Sequence, residues 1–301
     1  MNNSYPNTLR TLDENRRAGR TQIFEPALAQ FPNAFRLADS ATSHERLEWE
    51  TIRSEVRAHL LQLVSQSRWQ DHLVLRGSVL LHEWFGAAAR EPQDLDWVFQ
   101  PPTVNIGDPD CKACFAELTE IVKNHPYTRN THILTDQIAS DDIWTYERAQ
   151  GRRLIFPYEN AEGAGREIQM DIVWGEVLPE LPVPTSFSVG DSNSIELWTA
   201  TPELSLAWKL LWLTTDMNPQ GKDLYDAVLL AENIHLPLAL LQQVFDGADW
   251  NSQRAITPAV FSELYVDWDN FQLEYPWVYG AKKQWLNRLT TALTSTWNGT
   301  Y

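Results

Sequence analysis

The sequence predicts an α+β chain, with strands and flanking helices over the first two thirds and a helical lobe over the last third. Three observations carry this expectation. A short apolar run, Leu73–Leu75, breaks at Gly77-Ser78 into a helical pattern, and a second apolar run, Leu95-Trp97-Val98-Phe99, follows it. Four more runs rich in β-branched and aromatic residues lie at Thr131–Thr135, Asp142–Tyr146, Arg153–Pro157 and Glu167–Trp174, separated by polar and glycine-bearing turns. From Thr201 onward the apolar residues recur at helical spacing.

Residues 1–43 are rich in Asn, Arg, Pro and Ala with weak periodicity, and read as an N-terminal arm or short helices wrapping the body. They lack the apolar core of a signal peptide, so the expected location is cytoplasmic. His44–Gln66 is an amphipathic helix, with Leu47, Ile52, Val56, Leu60, Leu61 and Val64 on one stripe. It leads into the opening strand, and Cys114–Val122 supplies a crossover helix after Pro101-Pro102. Residues 177–195 hold Pro179, Pro182, Pro184 and Gly190 and read as a linker. This places one domain over 44–195 and a helical domain over 196–301. In the latter, Thr201-Pro202-Glu203-Leu204 opens a helix with proline in its first turn, and further helices are expected at Lys222–Glu232, Leu236–Phe245, Thr257–Val266 and Gly280–Ser295.

Chemistry concentrates at residues 73–99. Side chains alternate faces along a strand, so Asp94 and Asp96 project from the same side, close enough to share a hard cation through oxygen ligands. The Gly77-Ser78 turn lets backbone N–H groups approach an anion, and the helix start behind it favours negative charge. Together they suggest a phosphate held against a metal. Asp171, inside the apolar run Ile168–Trp174, is either an edge-strand acid facing solvent or a further site carboxylate, because a buried acid needs a cation or hydrogen bonds. Lys209, between Trp208 and Leu210, either snorkels to the surface or points at an anion. Asp223 and Asp226 share a helical face, from which one of them could hold Lys209 or Lys222.

Leu75-Arg76-Gly77-Ser78-Val79-Leu80-Leu81, followed by Arg90-Glu91-Pro92-Gln93-Asp94-Leu95-Asp96, resembles the signature of the nucleotidyltransferase superfamily. More narrowly it is similar to the AbiEii/AbiGii toxin family, which reads Leu-Lys-Gly-Gly-Thr-x-Leu and Arg-x-Ser-x-Asp-hydrophobic-Asp. Ser78, Val79 and Pro92 depart from that pattern. A second resemblance to the same family, in the expected order, lies in Pro202-Glu203-Leu204-Ser205-Leu206-Ala207-Trp208-Lys209 and Lys222-Asp223-Leu224-Tyr225-Asp226.

The resemblance implies a nucleotidyltransferase-fold mixed sheet and a two-ion Mg²⁺ site on Asp94, Asp96 and Asp171. It implies that Gly77 and Ser78 cradle the phosphates of a nucleoside triphosphate (NTP), that Lys209 and Arg90 neutralise phosphate charge, and that Asp223 and Asp226 complete the site. The implied reaction moves a nucleoside monophosphate from the NTP to an acceptor hydroxyl, the tRNA 3′ end being one such acceptor. The implied setting is the toxin of a bacterial toxin–antitoxin or phage-defence system, with a separate antitoxin protein as partner. Two other readings share the turn and carboxylates: a small-molecule adenylyltransferase of the antibiotic-modifying kind and a non-catalytic nucleotide-binding scaffold.

Composition narrows the rest. The net charge of −16 disfavours indiscriminate nucleic-acid binding and suits a cationic acceptor. No apolar run is long enough to cross a membrane. The two cysteines, Cys111 and Cys114, lack the second pair a structural zinc site requires. No Gly-x-Ser-x-Gly elbow, dinucleotide fingerprint or histidine pair at ligand spacing points to a hydrolase or redox enzyme. Trp250, Trp268, Trp277, Trp285 and Trp297 are expected to be core and contact residues rather than base-stacking platforms.

Overall fold

The computed structural model describes residues 43–143, 150–190, 193–215, 219–248 and 256–298, without the side chains of residues 43–46 and 141–143. Apart from Ser43, the expected N-terminal arm lies outside the described residues, as does Trp250.

The opening helix α1 (Ser43–Ser65) buries Val56, Leu60, Leu61 and Val64, the stripe its spacing requires. It is followed by β1 (Leu73–Arg76), α2 (Ser78–Phe85), β2 (Asp94–Phe99) and α3 (Pro109–Asn124). Then come β3 (Thr131–Ile133), β4 (Ala139–Ile143), β5 (Gln150–Asn160) and β6 (Gly165–Trp174). All belong to one eight-stranded mixed sheet of order β3-β5-β6-β2-β1 and onward, with β4 also beside β5. β1 runs antiparallel to β2, and β2 parallel to β6.

The order continues into the stretch expected to be a linker. β7 (Val183–Val189) and β8 (Asn193–Thr199) form an antiparallel hairpin there, burying Phe187, Val189 and Leu197 at a period of two. Pro184 is tolerated because β7 is the sheet's edge strand. β8 pairs parallel with β1, Leu75 opposite Thr199, and the Ala200 amide donates to the Leu75 carbonyl at 2.9 Å.

That pairing positions everything C-terminal to it. α4 (Pro202–Thr215) leaves β8 beside the end of β1 and packs on α5 (Gly221–Asn233). α6 (Leu238–Gly247), α7 (Pro258–Ser262), α8 (Trp268–Glu274), α9 (Lys282–Ala292) and α10 (Thr294–Asn298) complete the lobe. α8 is absent from the pattern reading; it is seven residues long and follows a turn. It packs closely on the start of α5, where a Cβ on Gly221 would stand 2.3 Å from the Phe271 Cβ. Trp268 and Trp285 are buried with it, whereas Trp277 is half exposed and packs edge-on against Tyr275. One continuous apolar core joins sheet and lobe. No helix among the described residues is long and apolar enough to cross a membrane.

Candidate active site

Gly77 stands between β1 and α2 with φ +83° and ψ −155°. Only glycine occupies that region without strain. The residue is required a second time by proximity, since a Cβ there would fall 2.3 Å from the Asp96 Oδ2. The turn is thus packed directly on the Asp96 carboxylate, and the Ser78 hydroxyl lies 3.5 Å from the Asp94 Oδ1. The first amides of α2, which have no partner inside the helix, open at this place.

Across the sheet, β1, β2, β6 and β5 bring four charged residues into one row, which the backbone register extends to Asp141 on β4, opposite Arg153. Arg76 on β1 is opposite Asp96 on β2, Asp96 is opposite Asp171 on β6, and Asp171 is opposite Arg153 on β5. Directly opposed residues share a face, so the row reads cation, acid, acid, cation. Its two ends are compensated. Arg76 donates from Nη1 to both oxygens of Glu176, at 3.0 and 2.8 Å, with its guanidinium over the rings of Trp208 and Trp212. Arg153 grips Asp171 with two parallel bonds, Nε to Oδ1 at 2.6 Å and Nη2 to Oδ2 at 2.7 Å. The centre is not compensated. Burial pushes the Asp96 carboxyl up to about 7, and the charges of Asp94 and Asp171 push the same way against Arg76 and Lys209.

A second cluster lies where the lobe meets the sheet. The Lys209 ammonium donates to Asp223 Oδ1 at 2.7 Å and is 3.0 Å from Asp226 Oδ2. Arg90, in the loop before β2, donates from Nε and Nη2 to Asp226 at 3.0, 3.2 and 2.9 Å. Arg57 on α1 holds that loop through Glu91 at 2.8 Å and the Pro92 carbonyl at 3.2 Å. The Tyr225 hydroxyl clasps the Ala88 carbonyl at 2.6 Å. Burial alone would raise the Asp226 carboxyl, but Arg90 and Lys209 outweigh it and hold it below the ordinary range. Burial would likewise lower Lys209, and Asp223 and Asp226 reverse that.

The structure therefore gathers Gly77, Ser78, Asp94, Asp96 and Asp171 on the sheet. It gathers Arg90, Lys209, Asp223 and Asp226 in a buried knot beside them, and both aspartates rather than one hold Lys209. The clusters sense each other, since Lys209 acts on Asp96 and the Asp94 charge acts on Arg90. Sequence reasoning missed the Arg153 clamp and the Arg76–Glu176 pair. The signal for Arg153 was the register of the β5–β6 hairpin, in which Glu159 faces Gly165 across the turn.

The family model described as nucleotidyl transferase AbiEii toxin, type IV toxin–antitoxin system, matches residues 59–276. The chain belongs to this AbiEii family. The match spans both clusters and gives the molecule its activity class: it is a nucleotidyltransferase of a toxin family of type IV toxin–antitoxin systems. Among solved structures, this AbiEii chain is similar to an H. pylori protein provisionally assigned as a nucleotidyltransferase. The two share 14% identity at a TM-score of 0.49, over 88% of this chain and 100% of that one. No curated protein matches the chain.

Proposed function

We propose that this AbiEii chain transfers a nucleoside monophosphate from an NTP to an acceptor hydroxyl, with the tRNA 3′ end as acceptor, and acts as a toxin opposed by a separate antitoxin. The observation that carries the reading is the fit of Gly77 against Asp96, which places the helix-start amides beside two uncompensated carboxylates. A phosphate bridged to a cation satisfies both.

The residues fit a hard divalent cation such as Mg²⁺. Asp94 and Asp96 offer oxygen ligands from one face of β2, where burial first and then the charges of Asp94 and Asp171 disfavour a bare Asp96 carboxylate. Bound there, the ion would neutralise phosphate charge and polarise the reacting phosphorus. The chain's own residues do the rest. Gly77 and Ser78 would receive the β- and γ-phosphate oxygens on backbone N–H groups. Lys209 and Arg90, fixed by Asp223 and Asp226, lend positive potential without leaving their ion pairs. In-line attack of the acceptor hydroxyl on the α-phosphate would then form the new ester and release pyrophosphate.

Incubation with each α-labelled NTP, Mg²⁺ and total tRNA tests this. RNA labelling by wild type and its loss in Asp96→Ala are expected, and the absence of transfer to any acceptor removes the reading. The net charge of −16 favours a second reading, adenylylation of a cationic small molecule. Label appearing on an aminoglycoside or polyamine instead of RNA would select it.

A further inference from the structure

Asp171 lies directly beside Asp96 in the sheet, the position from which a third carboxylate would complete a two-ion centre. Its surroundings are those of a compensated acid. Both of its oxygens accept from Arg153, at 2.6 and 2.7 Å, and both side chains are buried. The pair is fixed by backbone register, since the residues are directly opposed on the antiparallel β5–β6 ladder. A guanidinium cannot lose its proton, so a permanent positive charge faces any cation that approaches Asp171. A second divalent ion would have to break the two-bond fork that Arg153 makes on Asp171, or share the carboxylate with the guanidinium against repulsion.

Asp94 and Asp96 differ. Among the described residues Asp96 makes no hydrogen bond or ion pair, and Asp94 has only the 3.5 Å contact from Ser78. Nor, among the described residues, do any three acidic, histidine or cysteine side chains close on one point.

We propose that Arg153 takes the place at Asp171 that a second divalent ion would occupy, so that cation binding is confined to Asp94 and Asp96 and Asp171 serves to position Arg153. The inference rests on the assignment of Asp94 and Asp96 as metal ligands made above. It gives the centre one exchangeable ion and one fixed cation, the guanidinium, on the far side of the acid pair.

Titration of the full chain with Mn²⁺ alone, followed by electron paramagnetic resonance, decides it. The wild type should bind one isolated Mn²⁺ with no spin coupling. The double variant Asp171→Asn with Arg153→Gln, which removes both charges and keeps polar side chains, should keep that stoichiometry and an affinity within about threefold, whereas loss of a ligand's support costs about 10–100-fold. A spin-coupled Mn²⁺ pair in the wild type, or loss of an ion in a folded double variant, overturns the inference and leaves the assignment of Asp94 and Asp96 standing. Absence of Mn²⁺ binding in the wild type, or undiminished binding in Asp96→Asn, overturns that assignment and the inference with it. The wild-type spectrum suffices if the double variant does not fold.

Discussion

The sheet and the lobe each bury acids beside bases, yet they arrange them to opposite ends. In the knot, Asp223 and Asp226 are matched by Lys209 and Arg90 at 2.7–3.2 Å, and Asp226 is wholly excluded from solvent. On the sheet, Asp96 sits against a glycine with Asp94 and Asp171 as neighbours, and its carboxyl is driven toward the neutral form. The knot is a closed circuit of charge that holds geometry. The acid pair is an open one, and its instability is what a bound cation would relieve. Activity and stability should therefore separate along this line when each cluster is mutated.

The widest separation is expected at Asp96. Asp96→Asn should lower transfer by about 10³-fold, the several kcal/mol that metal and phosphate charge stabilisation supplies. It should leave the urea midpoint unchanged or raised, because a repulsive charge is gone. A folded variant with wild-type transfer would show that the acid pair is not the chemical centre.

At Asp226 the order reverses. Asp226→Asn leaves Arg90 and Lys209 under-compensated in a buried place, which costs about 3–5 kcal/mol of stability. Equilibrium unfolding in urea measures this, and a loss below about 1 kcal/mol would mean that the knot does not hold the lobe to the sheet.

Gly77→Ala falls between the two. Positive φ strains a non-glycine residue by about 1–3 kcal/mol, and the new methyl meets the Asp96 carboxylate. Stability and NTP affinity should drop together, measured by denaturation and by calorimetry on one preparation. A drop in stability alone would break the link between turn and phosphate.

The smallest effect is one of pH. The Asp226 carboxyl is held below its ordinary value in the folded chain, so its contribution to stability is fully present above the unfolded value near 3.8 and is lost as pH falls through the folded one. Urea midpoints of wild type and Asp226→Asn should converge below about pH 4, which the unfolded carboxylate value sets. A gap that persists unchanged into that range would show that the interaction is not ionic.

Much of this was legible before any coordinates. Asp94 and Asp96 share a face by strand periodicity alone, Gly77 announces a turn, and the helical spacing of Asp223 and Asp226 brings them together. The sheet's far members were harder to read. Prolines at 179, 182 and 184 weigh toward a linker, and they outvoted the weaker alternation of Phe187, Val189, Ile195 and Leu197 that builds β7 and β8. Arg153 stayed hidden for another reason. Its partner is eighteen residues away across a hairpin, and only the register, which depends on where the turn falls between Asn160 and Gly165, names it. α8 is too short for periodicity to show.

The junction of β8 with β1 sets how the molecule can be taken apart. Because Leu75 lies on the strand that leads into the Gly77 turn and its carbonyl accepts the Ala200 amide, the helical lobe is attached at a seam inside the sheet and not by a tether. A cut at residue 195 would sever β8 midway and bare the edge of β1, an open template for pairing with other chains. Separately produced halves should precipitate, whereas halves co-expressed in one cell have a docking groove waiting for the missing strand. Split reporters and limited-proteolysis maps should accordingly avoid residues 193–200 and enter instead between β6 and β7, where Val177 and Leu181 already face water.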